Sequence, residues 1–161
     1  CAALLLLCAG SAPLPLTAAT SQSFQVSATV TAGCLVVGGV SNYGGLNFGS
    51  RSALATGTVQ VALTGGVQLQ CTPGVTLNMS VDGGQYNSSG RHMQVNSGSA
   101  RVAYALFRDA AYSQSLGIGQ SVAVAYSDAN NIRLPIYGQV QLPGNQPGGT
   151  YSDVLQVQLS W

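Results

Sequence analysis

The stretch SFQVSATVTAGC, residues 23–34, alternates Phe24, Val26, Ala28 and Val30 with Gln25, Ser27 and Thr29. A period of two sets the apolar side chains on one face and the polar ones on the other, the pattern of a strand with one face meant for burial. It stands near the front of the chain, where segments fray unless tied down. Thr31, Ala32 and Gly33 alone separate it from Cys34. Whether the fold is complete within one molecule turns on where this strand goes.

Upstream lies CAALLLLCAGSAPLPLTAAT, residues 1–20, an apolar run followed by small residues and prolines, without charge. It has neither an initiator Met nor a basic start, and it reads as the truncated tail of a secretory signal. Cleavage is expected after Ala19, with Thr17 and Ala19 at the small-residue positions. The apolar run is too short to span a membrane. Cys8 would suit a lipoprotein signal, but Leu6 and Leu7 stand where such signals want small residues. The expected product is an exported chain of about 142 residues, residues 20–161, enough for one domain with its own core.

That chain carries little charge: 5 Arg and no Lys, 4 Asp and no Glu, with charged residues only 6% of the whole. Without a basic cluster it is unsuited to nucleic acid or anionic membranes. So sparse a surface also fails to repel copies of itself, which favours a protein that assembles. Removal of Cys1 and Cys8 with the signal leaves Cys34 and Cys71, expected to pair as a disulfide in an exported domain. A metal site would need more ligands, and His92 is the only histidine.

Downstream, no segment holds a helical period for three turns, whereas short alternating runs recur. TVQVALTGGVQLQC (58–71) sets Val59, Val61 and Leu63, then Val67, Leu69 and Cys71, on one face about a Gly65–Gly66 break. VTLNMSVDGG (75–84) does so with Val75, Leu77, Met79 and Val81 before an Asp82–Gly84 turn. RVAYALFRD (101–109) presents Val102, Tyr104 and Leu106. NIRLPIYGQVQL (131–142) presents Ile132, Leu134 and Ile136, with Pro135 demoting part of it to an edge or bulge. TYSDVLQVQLSW (150–161) places Tyr151, Leu155, Val157, Leu159 and Trp161 on one face of a final strand. Segments 38–57, 84–100 and 111–130 read as long polar loops. The pattern predicts an all-β antiparallel sandwich. A sandwich whose last strand is an edge must manage that edge, and accepting a strand from another molecule is one way to do so.

FQVSATVTAGC, LNFG (46–49), YALFRDAA (104–111), PIYGQV (135–140) and PGGTYSDVLQVQLSW (147–161) occur in that order. Together with Cys34 and Cys71 they resemble the spore coat protein U domain family, which includes the pilins of archaic chaperone–usher pili, over essentially the whole mature chain. The resemblance implies an incomplete immunoglobulin-like sandwich that lacks its last strand and is completed by a donor strand from another subunit. It divides the chain into a signal (1–19), a donor-strand extension (20–33) and a pilin domain (34–161). Phe24, Val26, Ala28 and Val30 fall at the donor positions, and Leu155, Val157, Leu159 and Trp161 on the final strand that borders the groove. The Trp161 carboxylate falls at a chaperone anchor. The implied partners are a periplasmic chaperone, an outer-membrane usher and identical or related subunits, and the implied destination is the cell surface. Leu116–Gly117 departs from a Trp-Gly common in relatives, which puts the packing of loop 111–121 in question.

Other motifs have simpler readings. His92 has no G-x-S-x-G elbow to accompany it and is taken as a loop histidine without a catalytic role. The absence of Glu removes the commonest carboxylate pair of glycoside hydrolysis. GVSNYGG and GIGQS match no phosphate-binding fingerprint. Asp82 and Asp109 suit turns without calcium, and Tyr151 suits a tyrosine corner. The function expected is a structural subunit of a pilus, with no enzyme activity, cofactor, metal, nucleic acid or small-molecule substrate. The alternative is a self-sufficient secreted coat-like or carbohydrate-binding module.

Overall fold

The computed structural model describes residues 25–39 and 42–161. The expected signal, residues 1–19, and Phe24 lie outside them. The chain divides into two units, residues 1–30 and 31–161. In the first, residues 25–30 adopt no strand, and Val26 and Val30 are 82% and 90% exposed. Among the described residues, 25–30 are therefore unpaired despite their strand pattern.

The second unit is all-β among the described residues. Its strands are β1 (Cys34–Val36), β2 (Thr56–Ala62), β3 (Leu69–Cys71), β4 (Asn78–Val81), β5 (His92–Val95), β6 (Arg101–Phe107), β7 (Val122–Ala123), β8 (Tyr137–Pro143), β9 (Tyr151–Ser152) and β10 (Val157–Ser160). One sheet has the order β2-β8-β6-β5-β9, a second β10-β4-β7, and β1 and β3 form a two-stranded ladder. Every strand pair is antiparallel. Leu77, Met79 and Val81 of the β4 region are buried with Leu106, Leu69 and Ile132, so the alternation read from the sequence marks the core side of these strands. On the outer face of β2 and β8, Thr58 donates to Gln141 and Gln60 to Gln139 across the pair, at 2.6 and 2.9 Å.

Cys34 and Cys71 stand opposite each other in the β1–β3 register and are joined by a disulfide. The Cys71 N–H points away from β1, donating to the Ala129 carbonyl, while Thr72 N–H donates to the Gly33 carbonyl. The cysteines thus form a non-hydrogen-bonded pair, in which antiparallel backbones approach most closely, and their Cα atoms are 4.0 Å apart. The bond closes a loop of sequence separation 37, so its removal forfeits roughly 4 kcal/mol by loop-closure entropy. The double substitution Cys34→Ser, Cys71→Ser is expected to lower the guanidinium midpoint markedly at an unchanged slope. An unchanged midpoint would show that the β1–β3 ladder holds without the bond.

Three sequence expectations are corrected. His92 is not in a loop: it opens β5, an interior strand of the five-stranded sheet, and its Nδ1 lies 2.8 Å from the Gly90 carbonyl. Segment 111–130 likewise contains β7 and the buried Leu116 and Val124. The final run 150–161 is two strands rather than one. β9 pairs with β5 in the five-stranded sheet, whereas β10 pairs with β4 in the other. The chain changes sheets at Asp153–Gln156, where the Asp153 carboxylate accepts hydrogen bonds from the N–H groups of Val154 and Gln85, both at 2.8 Å. A side chain that captures its neighbour's N–H takes that group out of a ladder.

Candidate functional site

Three of the motifs that carry the resemblance, LNFG, YALFRDAA and PIYGQV, meet in the interior. Leu46 and Phe48 of LNFG lie on the inner face of the five-stranded sheet against Gly138 of PIYGQV. A Cβ at Gly138 would lie 3.0 Å from Leu46 Cδ1 and from Phe48 Cζ, so the close approach requires glycine. Phe48 packs on Tyr104 of YALFRDAA, with ring centroids 6.5 Å apart. Asp109 of the same motif accepts from Ser113 and Gln114 N–H groups and the Ser113 hydroxyl, closing the turn in which Tyr112 takes a positive φ of 55°. Tyr151 donates to the Pro147 carbonyl at 2.9 Å, the tyrosine corner expected of it.

Beside this contact the sandwich is open. β10 pairs only with β4, and β1 only with β3, so both are edges among the described residues. Cys34 and Val36 on one side and Leu155, Val157 and Leu159 on the other pack against a single core cluster, with no ladder between the two strands. The strands approach each other at one end, where a Cβ on Gly33 would be 3.5 Å from Trp161 Nε1. An open cleft of about 580 Å³ runs between the layers. Leu63, Met93, Tyr104 and Ile136 line it from one side, Val81, Leu155 and Val157 from the other, with Tyr43, Leu46 and Phe48 at its end. A second recess of about 540 Å³, floored by Val102, Val140 and Leu142, shares Leu46, Phe48, Met93 and Tyr151 with the first. The two run on from each other along the inner face of the larger sheet.

The structure brings Leu155 and Val157 together at the cleft wall and leaves Leu159 half-buried further along β10. Trp161 is 59% exposed. Val26, Ala28 and Val30 are exposed and belong to the other unit.

One functional side chain was passed over in the sequence. Arg91 is only 5% exposed and is the one buried charged group among the described residues. Its Nε donates to the Asp82 carbonyl at 2.8 Å, Nη1 to the Leu116 carbonyl at 2.7 Å, and Nη2 to the carbonyls of Val81 at 2.8 Å and Gly117 at 3.3 Å. Burial lowers its pKa, against the opposing pull of Tyr104, Asp82 and Asp153. This guanidinium joins β4 to loop 111–121 and answers the question raised by Leu116–Gly117: Leu116 fills the core and its carbonyl anchors Arg91. Nearby, Tyr104 donates to Asp153 Oδ2 at 2.7 Å. Burial, then the hydrogen bond and charge of Asp153, hold the Tyr104 phenol far above its ordinary range, so it remains a donor at physiological pH.

The described residues thus form an antiparallel sandwich with unpaired edge strands and a cleft whose lining mixes apolar and polar groups. The chain belongs to the Spore Coat Protein U domain family, whose match covers residues 20–158. Curated proteins offer no significant sequence match. Among solved structures, the chain resembles the CsuC–CsuE chaperone–tip adhesion subunit pre-assembly complex from the archaic chaperone–usher Csu pili of Acinetobacter baumannii. The identity is 16% and the TM-score 0.51, over 83% of this chain and 40% of that one. That likeness is one of fold, an immunoglobulin-like β-sandwich. A chaperone–tip adhesin complex described as vital for CFA/I fimbriae biogenesis matches at 12% identity and a TM-score of 0.47, over 80% of this chain and 41% of that one. The chain thus spans less than half the length of either matched chain.

Proposed function

We propose that the protein is a structural subunit of a surface pilus, exported through the periplasm and assembled by donor-strand complementation, in support of adhesion or biofilm formation. In this reading residues 24–30 of one copy fill the cleft of the next, replacing a chaperone strand lent during export and exchanged at an outer-membrane usher. The carrying observation is the unpaired edge of β10, whose Val157 lines the cleft with Leu155, in a chain whose described front residues, 25–30, are themselves unpaired. The patterns share a period: Phe24, Val26, Ala28 and Val30 alternate as Leu155, Val157, Leu159 and Trp161 do, of which Val157 and Leu159 lie on β10, so an inserted strand can offer one apolar residue per step along that edge. Backbone hydrogen bonds supply the pairing and the alternation supplies the register. The family membership and the occurrence of the fold in a chaperone–pilus subunit complex support the same reading. The role is structural rather than enzymatic.

The test uses the chain carrying Val26→Asp and Val30→Asp, so that its own donor is disabled. Thermal unfolding is followed with and without a synthetic peptide of residues 20–31. A ligand of the folded state at a hundredfold excess over its Kd stabilises by about 2.7 kcal/mol, a rise of the order of 10 °C for a domain of this size. A peptide with its sequence scrambled is expected to do nothing. An unchanged midpoint with the native peptide would overturn the reading in favour of a self-sufficient coat-like or carbohydrate-binding module.

A further inference from the structure

The cleft has walls in two sheets that share no strand, and along its open side the covalent link between them is the crossover Asp153–Gln156. That crossover is tied closely to the end of β4. Asp82 N–H donates to the Gln156 carbonyl at 3.0 Å and Gln156 N–H to Asp82 Oδ1 at 2.9 Å. Gln85 N–H lies between the Val154 carbonyl, at 3.2 Å, and Asp153 Oδ1, at 2.8 Å. A Cβ on Gly84, which has φ 80°, would collide with the Asp153 carboxylate, so that carboxylate is seated in a space kept free for it. All these bonds lie on the β4 side. The other end of the crossover continues from β9 of the five-stranded sheet, and Arg91, just before β5 of that sheet, also reaches the Val81 and Asp82 carbonyls. Tyr104 adds the tie that faces the cleft: it stands on β6, lines the cleft, and its hydroxyl reaches the carboxylate that also holds Gln85.

We propose that the Tyr104–Asp153 hydrogen bond is a brace that sets the spacing of the two layers at the cleft, making these two residues positioning residues for the incoming strand. The inference rests on the donor-strand reading of the cleft and adds what holds the site ready. Packed sheets lie about 10 Å apart, and a strand enters between them only while that spacing is kept. An unfilled edge has no central strand to keep it, so the spacing there depends on the side chains and crossover that join the layers, Arg91 at one point and Tyr104 at the cleft. A brace that holds the bound geometry in the empty protein reduces the ordering cost of binding and tightens the complex. Tyr104 suits the task because its ring packs on Phe48 at the cleft end while its hydroxyl crosses to the crossover.

The experiment measures binding of the fluorescent peptide of residues 20–31 to the chain disabled by Val26→Asp and Val30→Asp, and to the same chain with Tyr104→Phe. Phenylalanine retains the ring and removes only the hydroxyl. The expected result is about a tenfold weaker Kd, the worth of one hydrogen bond to a charged group. Asp153→Asn keeps the oxygen that Val154 and Gln85 use but removes the charge and turns an amide toward the Tyr104 hydroxyl; it is expected to weaken Kd several-fold, and it serves as the second probe should the phenylalanine variant fold poorly. The readout that separates a brace from a merely structural bond is the difference between Kd and the melting temperature of the empty protein. A lowered midpoint with Kd within twofold of the parent would overturn the brace alone. A parent chain that does not bind the peptide would overturn the donor-strand reading and the brace with it.

Discussion

Replacing Val26 and Val30 together by Asp is expected to abolish self-assembly of the mature chain. Each valine contributes about 1.5–3 kcal/mol when its side chain passes from water into an apolar cleft, and both are 82–90% exposed within their own chain. Their full burial value is therefore available only to a complex. Aspartate forfeits that contribution and adds the cost of moving a carboxylate against Leu155, Val157 and Leu63, where no basic group lines the wall. The combined loss is about 4 kcal/mol or more, roughly a thousandfold in affinity. Filaments counted by electron microscopy, and mass measured by light scattering after gel filtration, are expected to collapse to a single subunit. Ser27→Asp with Thr29→Asp adds the same charge to the opposite face of the same segment, and assembly is expected to survive it. Equal loss from the two pairs would mean that charge, rather than strand register, governs association. Filaments unaffected by the Val26 and Val30 changes would remove the front segment from the assembly altogether.

The contrast between those faces was legible in the sequence because a period of two needs only a hydrophobicity pattern. The same signal located β4 and β6, since each lies where one face is buried, while the Cys34–Cys71 pair followed from counting cysteines in an exported chain. It failed where side-chain chemistry overrode the period. The run 150–161 breaks its alternation once, with Asp153 on the apolar face and Val154 on the polar one, and that short break, easily read through, is where the chain leaves one sheet for the other. That change depends on a carboxylate captured by Gln85 and Tyr104, residues distant in sequence. β5 was missed for a different reason: Met93 and Val95 are its only apolar residues, too few for a pattern amid Gly, Ser and Asn. The cleft itself was legible only in outline. Leu155, Val157 and Leu159 could be assigned to its border, but Leu63, Met93 and Ile136 reach it through a topology that periodicity does not encode.

Arg91 was the least legible residue and carries the largest expected effect on stability of any non-covalent contact described. Within SSGRHM a single arginine in polar company reads as solvated surface, yet it is buried with its donors on the carbonyls of Val81, Asp82, Leu116 and Gly117. No carboxylate contacts it. Backbone dipoles balance its charge, and the acidic groups of Asp82 and Asp153 act at a distance. Arg91→Leu keeps much of the side chain's bulk and removes every donor, leaving carbonyls in the core that water reaches poorly. Unsatisfied buried acceptors cost about 1–3 kcal/mol each, and hydrogen bonds to a charged donor contribute more than neutral ones. The expected destabilisation is about 3 kcal/mol or more, a fall of about 10 °C in melting temperature. Arg91→Lys is expected to recover little, because an ammonium has three donors on one atom and lacks the planar fork that spans β4 and loop 111–121. Arg101→Leu is the control: Arg101 is exposed, bonded to Gln94 and placed over the Tyr86 ring, and its loss is expected to cost within about 1 kcal/mol. Because Arg91 grips Val81, which lines the cleft, its loss is also expected to weaken peptide binding in proportion to the loosening of β4. A leucine variant that melts within 2 °C of the parent would mean that the carbonyls find other donors, and the role assigned to this guanidinium would fall.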